Sequence, residues 1–227
     1  IIGLDSISIL FIILCSFIII FCYLLYWYLN YQQNYYAFIL FFSLWILINV
    51  FSVLDFLFFF IFFEIIVIPM FFLIGIWGSR TRKITASYLL FSYTLFGSIF
   101  VFISIFFFLL SKGILFFDFF LNIFFLEKRQ FIIWFLLFLG FSVKVPIIPF
   151  HLWLPEAHVE APTPGSVILA GILLKLGSYA ILRFLLGSFS NILYDLIFII
   201  LIIAFFSLTY SSIIALGQID IKKIIAY

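Results

Sequence analysis

Three charged side chains of this chain stand inside long apolar stretches. Glu64, Lys144 and Lys175 lie roughly 12, 20 and 16 Å into their runs, at a helical rise of 1.5 Å per residue. The hydrocarbon core of a membrane is about 30 Å thick, so all three residues fall in its middle third. Ionisable groups at that depth are rare and mark proton or ion paths. The pattern predicts that three helices bring these groups together.

The chemistry of these groups suggests a proton relay. A lysine removed from water holds its proton less tightly, and a nearby carboxylate restores the hold. If Glu64 moves away, Lys144 can release its proton to Lys175 or to water, so that the groups titrate as a coupled set. The alternative is a static Glu64–Lys144 ion pair that only fixes helix packing. Desolvation makes such pairs a weak source of stability.

The sequence around Lys144 predicts a broken helix. Pro146 and Pro149 remove the helical partners of the carbonyls of Ser142 and Val145. Irregular backbone at membrane depth is tolerated where it lines a cavity or a site. We therefore expect free carbonyls and bound water near Lys144.

His151 and His158 follow this break, together with Glu156 and Glu160. Histidine titrates near neutral pH, so the two histidines are candidates for a link between the buried lysines and the aqueous face. An ordinary interfacial loop is the alternative. We expect no metal site, because the segment has no cysteine and no spacing typical of metal ligands.

The composition defines the class of protein. Of the 227 residues, 68% are hydrophobic and 9% are charged, whereas a soluble domain carries about a quarter charged residues. We predict a single multi-pass membrane domain over 1–227. The sequence contains no phosphate-binding glycine loop, no nucleophile elbow and no cysteine cluster, so any redox step takes place elsewhere. Nothing in it indicates nucleic-acid binding.

The apolar runs predict about seven to eight transmembrane helices with one discontinuous helix. Alternation across the membrane places Arg80 and Lys222 on one side and Arg183 on the other. The predicted segments are 6–29, 36–53, 56–78, 84–110, 131–149 with a short helix over 151–160, 164–187, 192–216 and the start of another over 221–227, with a polar connection over 111–130.

Two segments carry a family resemblance. Residues 144–184 read KVPIIPFHLWLPEAHVEAPTPGSVILAGILLKLGSYAILRF, and residues 62–83 read FFEIIVIPMFFLIGIWGSRTRK. They resemble subunit 4 of the NADH dehydrogenase of respiratory complex I, an antiporter-like subunit of the membrane arm. The segments GLDSISILF near the start and LGQIDIKKIIAY at the end are similar too, so the resemblance covers nearly the whole chain.

The resemblance implies a role for each candidate residue. In the family, the glutamate matching Glu64 pairs with the lysine matching Lys144, and the lysine matching Lys175 passes the proton onward. The histidines matching His151 and His158 lie on or near a hydrated path. The function implied is non-redox proton translocation in the mitochondrial inner membrane.

The resemblance also implies partners and extent. NADH, FMN, iron–sulfur clusters and ubiquinone are expected in partner subunits, with no cofactor on this chain. The family fold has fourteen helices with two inverted five-helix repeats. Residues 36–187 match the first repeat, and 192–227 match the start of the second. We expect neighbouring membrane-arm subunits, the lipid bilayer and a second polypeptide with the missing half as partners.

Two other functions fit the residues. A Mrp-type cation/proton antiporter subunit shares the fold but fits the segment after Glu160 less well. A structural subunit that no longer pumps is expected to have lost a buried charge, yet Glu64, Lys144 and Lys175 are all present.

Overall fold

The computed structural model describes residues 2–26, 32–112, 127–187 and 189–227. Within these ranges the chain forms helices joined by short turns. The helices are α1 (Ser6–Tyr26), α2 (Gln33–Ser52), α3 (Phe56–Ile65), α4 (Val67–Trp77), α5 (Lys83–Lys112), α6 (Glu127–Lys144), α7 (Trp153–Glu160), α8 (Thr163–Leu186), α9 (Ser190–Leu216) and α10 (Ile221–Ala226). The end predicted for the first segment near residue 29 and most of the connection over 111–130 lie outside the described residues.

Six helical stretches of the described part are long and apolar enough to cross a membrane: α1, α2, α3 with α4, α5, α8 and most of α9. Helix α6 has 18 residues and carries charges at both ends, so it crosses only together with the irregular segment and the short α7 that follow. The prediction of an all-α, multi-pass fold with one discontinuous helix is confirmed.

The second break, between α3 and α4, also has a proline as its cause. Asp55 fixes the start of α3, where its carboxylate accepts hydrogen bonds from the backbone N–H of Leu57 at 2.9 Å and of Phe58 at 3.3 Å. Pro69 has no N–H to offer to the carbonyl of Ile65, four residues earlier. The helix interrupts at Ile66 as a result, directly after Glu64.

Two carbonyls at the broken end of α6 accept hydrogen bonds from residues that follow the break. The backbone N–H of Ile147 donates to the carbonyl of Ser142 at 2.9 Å, so the prediction of a free Ser142 carbonyl is wrong. The indole N–H of Trp153 donates to the carbonyl of Val143, also at 2.9 Å. Trp153 is fully buried. It is the first residue of α7, and its hydrogen bond joins α7 to the broken end of α6.

Glycines let the helices around this break approach closely. A methyl group at Gly97 of α5 or at Gly140 of α6 would lie 3.0 Å from the carbonyl oxygen of the other glycine. A methyl group at Gly177 of α8 would lie 3.1 Å from the backbone nitrogen of Val145. Small residues at such crossings are typical of membrane helices, and they hold α5 and α8 against α6.

Ion pairs mark the two ends of the bundle. At one end, Arg183 pairs with Asp5 at 2.9 Å and also donates to the hydroxyl of Tyr179. At the other end, Arg80 pairs with Asp220 at 3.0 Å, which places the loop before α5 and the loop before α10 on the same side, as predicted. We call these the Arg183 end and the Arg80 end.

Candidate functional site

Glu64 and Lys144 form a buried ion pair where the two broken helices meet. The Lys144 Nζ lies 3.1 Å from the Glu64 Oε1, and the side chains are 2% and 18% exposed. Lys144 is therefore enclosed by protein, whereas part of the Glu64 side chain lies at the surface of the described chain. Because a charge in that position is costly without a partner, removing either group leaves the other in an unfavourable state.

Phe63 completes the surroundings of the lysine. Lys144 donates a hydrogen bond to the backbone carbonyl of Phe63, and its Nζ lies 3.5 Å from the centre of the Phe63 ring. The carbonyls in the last turn of a helix run out of helical donors, so the break at Ile66 frees acceptors at this level. The lysine thus has a carboxylate, a carbonyl and a ring face as partners.

Packing differs on the two sides of the pair. Towards the Arg183 end lies an aromatic cluster, in which Phe59 lies 5.3 Å from Phe63 and 4.7 Å from Phe184 between ring centres. Phe141 lies 5.8 Å from Phe63 and closes the cluster. These rings are buried and offer no polar atoms. Water and protons therefore have no polar route through this cluster.

A polar cavity lies on the other side, towards the Arg80 end. It has a volume of about 260 Å³ and begins at Val145, directly after Lys144. Cavities with polar walls hold water, which occupies about 30 Å³ per molecule in the liquid. The polar residues of the wall are His151, Ser207, Ser211 and Tyr227.

His151 lines this cavity, and its role as a link to the aqueous face stays a prediction. Its ring stands edge-on to Tyr210 at 5.2 Å and to Tyr227 at 6.1 Å between centres. Both ring nitrogens are buried without a hydrogen-bond partner in the described part of the chain. The neutral imidazole ring carries one donor and one acceptor.

His158 lies elsewhere at the Arg80 end and does not line the cavity. Lys223 pairs with Glu156 at 3.1 Å, and Lys222 donates to the carbonyl of Ala161 at 3.1 Å. These two contacts fasten α10 to α7, the helix that carries His158, and to the residue that follows it.

Lys175 is not part of the buried cluster. It lies on an exposed face of α8, while Gly177, two residues further on, packs against the backbone after Lys144. Two residues correspond to about 200° around a helix, so Lys175 points away from the pair. The expectation that the three charges meet is wrong for Lys175 within the described chain.

The structure adds site residues that the sequence reasoning missed. Trp153 had no assigned role, because its partner is a backbone carbonyl that only the fold brings close. Ser207 and Ser211 had a usable signal, since they stand four residues apart on one face of a largely apolar helix. Within the described ranges, no three His, Cys, Asp or Glu side chains cluster closely enough to hold a metal ion.

The fold and the buried pair define an antiporter-like membrane subunit, and comparison with known proteins agrees. Residues 53–227 match the family model for the transmembrane part of NADH:quinone oxidoreductases and Mrp antiporters. This chain belongs to that family.

Among curated relatives, chain 4 of NADH-ubiquinone oxidoreductase is 47% identical in Acanthamoeba castellanii and 48% identical in Marchantia polymorpha. Each alignment covers 100% of this chain and 46% of the relative. Subunit M of the NADH-quinone oxidoreductase of Rickettsia bellii is 42% identical over 233 residues. The resemblance to subunit 4 is confirmed, and the chain spans about half the length of these relatives.

Solved structures show the same fold. Respiratory complex I from Thermus thermophilus contains a chain that matches with a TM-score of 0.83 and 26% identity, over 100% of this chain and 48% of that one. The archaeal membrane-bound sulfane sulfur reductase matches with a TM-score of 0.82 at 22% identity. The second match supports the fold alone.

Proposed function

We propose that this chain is a proton-translocating, non-redox subunit in the membrane arm of an NADH:ubiquinone oxidoreductase. It lies in the mitochondrial inner membrane and crosses it several times. The observation that carries the proposal is the buried Lys144, paired with Glu64 and followed in the chain by Val145, which lines a cavity with polar groups in its wall. A subunit with a purely structural role has no need of a buried charge at such a place.

The geometry supports a one-sided proton path. Protons reach Lys144 from the Arg80 end through the cavity that contains His151, and the aromatic cluster blocks the opposite direction. When Glu64 is close, Lys144 keeps its proton. When Glu64 moves towards its partly exposed side, desolvation favours release of the proton from Lys144.

Lys175 takes part in the onward step of the proposed path. A charged side chain exposed to lipid at mid-depth is costly, so this face of α8 is expected to meet protein or water. The remaining part of the antiporter-like fold supplies that contact and the route to the other side. The assignment of residues 36–187 to one five-helix repeat, and of 192–227 to the start of a second repeat, remains a prediction.

The redox chemistry belongs to other subunits. NADH, FMN, iron–sulfur clusters and ubiquinone are proposed to bind in partner subunits of the same complex, with neighbouring antiporter-like subunits beside this chain in the membrane. Curated relatives named as chains of NADH-ubiquinone oxidoreductase support this assignment.

The substitution Lys144→Met tests the relay. It removes the titratable group but keeps an unbranched apolar side chain, so assembly is expected to persist. Proton pumping driven by NADH oxidation is expected to fall at least about tenfold, measured with a pH-sensitive dye in vesicles that contain the complex. Lys128→Met, at the exposed start of the same helix, is the control. Normal pumping by an assembled Lys144→Met complex would contradict the proposal.

The family also contains Mrp antiporters, so a cation/proton antiporter subunit is the second candidate. Co-purification separates the two functions. Recovery of this chain with flavin and iron–sulfur subunits supports the oxidoreductase, and recovery with antiporter subunits alone supports the alternative.

A further inference from the structure

An apolar groove runs down the outer face of the bundle between α2 and α4. It has a volume of about 530 Å³. Gln33 at the start of α2 and Trp77 at the end of α4 lie at the Arg80 end, so the groove opens there and runs inward. Its lining residues are Gln32, Tyr35, Phe38, Ile39, Phe42, Ile68, Pro69, Phe72, Ile76 and Trp77.

The length of the groove corresponds to one leaflet of a membrane. From Ile68 to Trp77 the helix rises about 14 Å, and half of the hydrocarbon thickness is about 15 Å. Phe38, Ile68 and Phe72 are 44–68% exposed in this chain. On a membrane-spanning helix, such side chains face lipid or another apolar surface.

The mouth of the groove carries positive charge. The Lys83 Nζ donates to the carbonyl of Ile76, a lining residue, at 2.7 Å, which leaves two of its three protons for another acceptor. Arg82 precedes it in the same loop. No Asp or Glu is among the residues that line the groove, so an anionic group is favoured at this position.

Trp77 adds a donor that lacks a partner. Its side chain lines the groove and the residue is 9% exposed, with the ring edge-on to Tyr36 at 5.4 Å between centres. The buried indole nitrogen of Trp77 has no hydrogen-bond partner in the described ranges. Buried donors in native proteins are rarely left unpaired, and because the ring of Trp77 lines the groove, a small turn of this ring would bring the nitrogen to a ligand atom near the mouth.

We propose that the groove binds an anionic phospholipid of the leaflet at the Arg80 end. One acyl chain lies along Phe38, Phe42 and Phe72, Lys83 holds the phosphate, and the Trp77 indole donates to an oxygen of the headgroup or ester. Basic pockets beside transmembrane helices are suited to such headgroups. The binding is independent of the proton path.

Photolabelling of the assembled complex in vesicles tests the site. The two probes are phosphatidylglycerol and phosphatidylcholine, each with a photoreactive diazirine in one acyl chain. We expect labelled peptides from α2 and α4. Labelling by phosphatidylglycerol is expected to exceed labelling by phosphatidylcholine about fivefold, because one lysine near an anionic headgroup contributes about 1 kcal/mol. Ile68→Trp fills the groove and is expected to remove labelling by both probes.

Two variants separate the polar contacts from the apolar ones. Lys83→Gln is expected to abolish the preference for phosphatidylglycerol while chain labelling persists. Trp77→Phe keeps the ring but loses the donor, and is expected to lower labelling by both probes, so it tests the site even if Lys83→Gln prevents assembly. Trp134→Phe, a buried tryptophan of α6 outside the groove, is the control and is expected to change nothing.

Three results would overturn the proposal: unchanged labelling in Ile68→Trp, no preference between the probes in the wild type, or crosslinks showing a helix of a neighbouring polypeptide in the groove.

Discussion

At the scale of single residues, the site depends on unequal burial of two opposite charges. Lys144 is almost fully enclosed, while Glu64 keeps 18% of its side chain exposed. Movement of the carboxylate is therefore less obstructed by packing than movement of the ammonium group, because part of the Glu64 side chain lies at the surface of the described chain. Glu64 is the residue expected to move, and Lys144 the residue whose proton responds.

Replacement of Glu64 by Gln tests this division of roles. The amide keeps the size of the side chain but not its charge, so Lys144 loses its counter-charge and holds its proton less tightly. Pumping per assembled complex is expected to fall at least about tenfold, measured with the same dye assay as for Lys144→Met. Asp55→Asn is the matched control, since asparagine also caps a helix. If pumping stayed normal in Glu64→Gln while thermal stability fell, the pair would be static.

At the scale of helices, two prolines in different segments place the breaks next to the two charges. The interruption at Ile66 precedes Pro69 by three residues, and α6 ends at Lys144, two residues before Pro146. The break after Lys144 followed from the sequence. The hydrogen bond that closes it did not, because Trp153 reaches Val143 only after the chain has turned back.

Trp153→Phe is expected to loosen this break. The ring volume is largely kept, but the Val143 carbonyl loses its donor, which costs about 1–3 kcal/mol in a buried place. Thermal unfolding of the purified chain in detergent measures the loss. Trp134→Phe on α6 is the control, because the Trp134 indole nitrogen is buried without a partner in the described part of the chain. An equal effect of the two substitutions would show that the Trp153 hydrogen bond contributes nothing.

At the scale of the whole molecule, ion pairs connect segments distant in the chain at both ends of the bundle. Asp5 and Arg183 join α8 to the residue before α1, with the Arg183 side chain only 6% exposed. Arg80 and Asp220 join the loops before α5 and α10, and both side chains are at least 40% exposed. The first pair is therefore expected to contribute more to stability than the second.

Asp5→Asn and Asp220→Asn compare these two ends. Asp5→Asn leaves Arg183 with a weaker partner and is expected to lower the free energy of unfolding by about 1–2 kcal/mol. This is less than the about 3–5 kcal/mol lost when a fully buried pair is broken, because Asp5 is exposed. Asp220→Asn is expected to have a small effect that salt removes. Thermal unfolding in detergent at low and high salt distinguishes them, and a larger loss from Asp220→Asn would contradict the ranking.

The Arg80–Asp220 pair also has a predictable dependence on pH. The hydrogen bond from Arg80 lowers the pKa of Asp220, so the ionised form of Asp220 is favoured in the folded state. The contribution of the pair is present above the ordinary pKa of aspartate, about 3.9, and is lost as the pH falls through the lower folded value. The difference in melting temperature between wild type and Asp220→Asn is expected to vanish under those acidic conditions.

Composition and the length of the apolar runs by themselves determined that this is a membrane protein, because a chain with 68% hydrophobic and 9% charged residues is stable only in a membrane. Prolines determined where helices break, since they lack the N–H that continues a helix. The depth of each charge in the membrane followed from counting residues along its helix. That count identified Glu64 and Lys144 as charges in the middle of the membrane.

Only the tertiary structure decided which charges meet. Each residue turns a helix by about 100°, so a side chain's direction depends on how neighbouring helices set its rotation. Gly177 fixes the rotation of α8 against α6 and turns Lys175 outward, although its depth matches that of the pair. The polar cavity likewise combines α9 and the residues after Lys144, which approach each other only because the chain folds back.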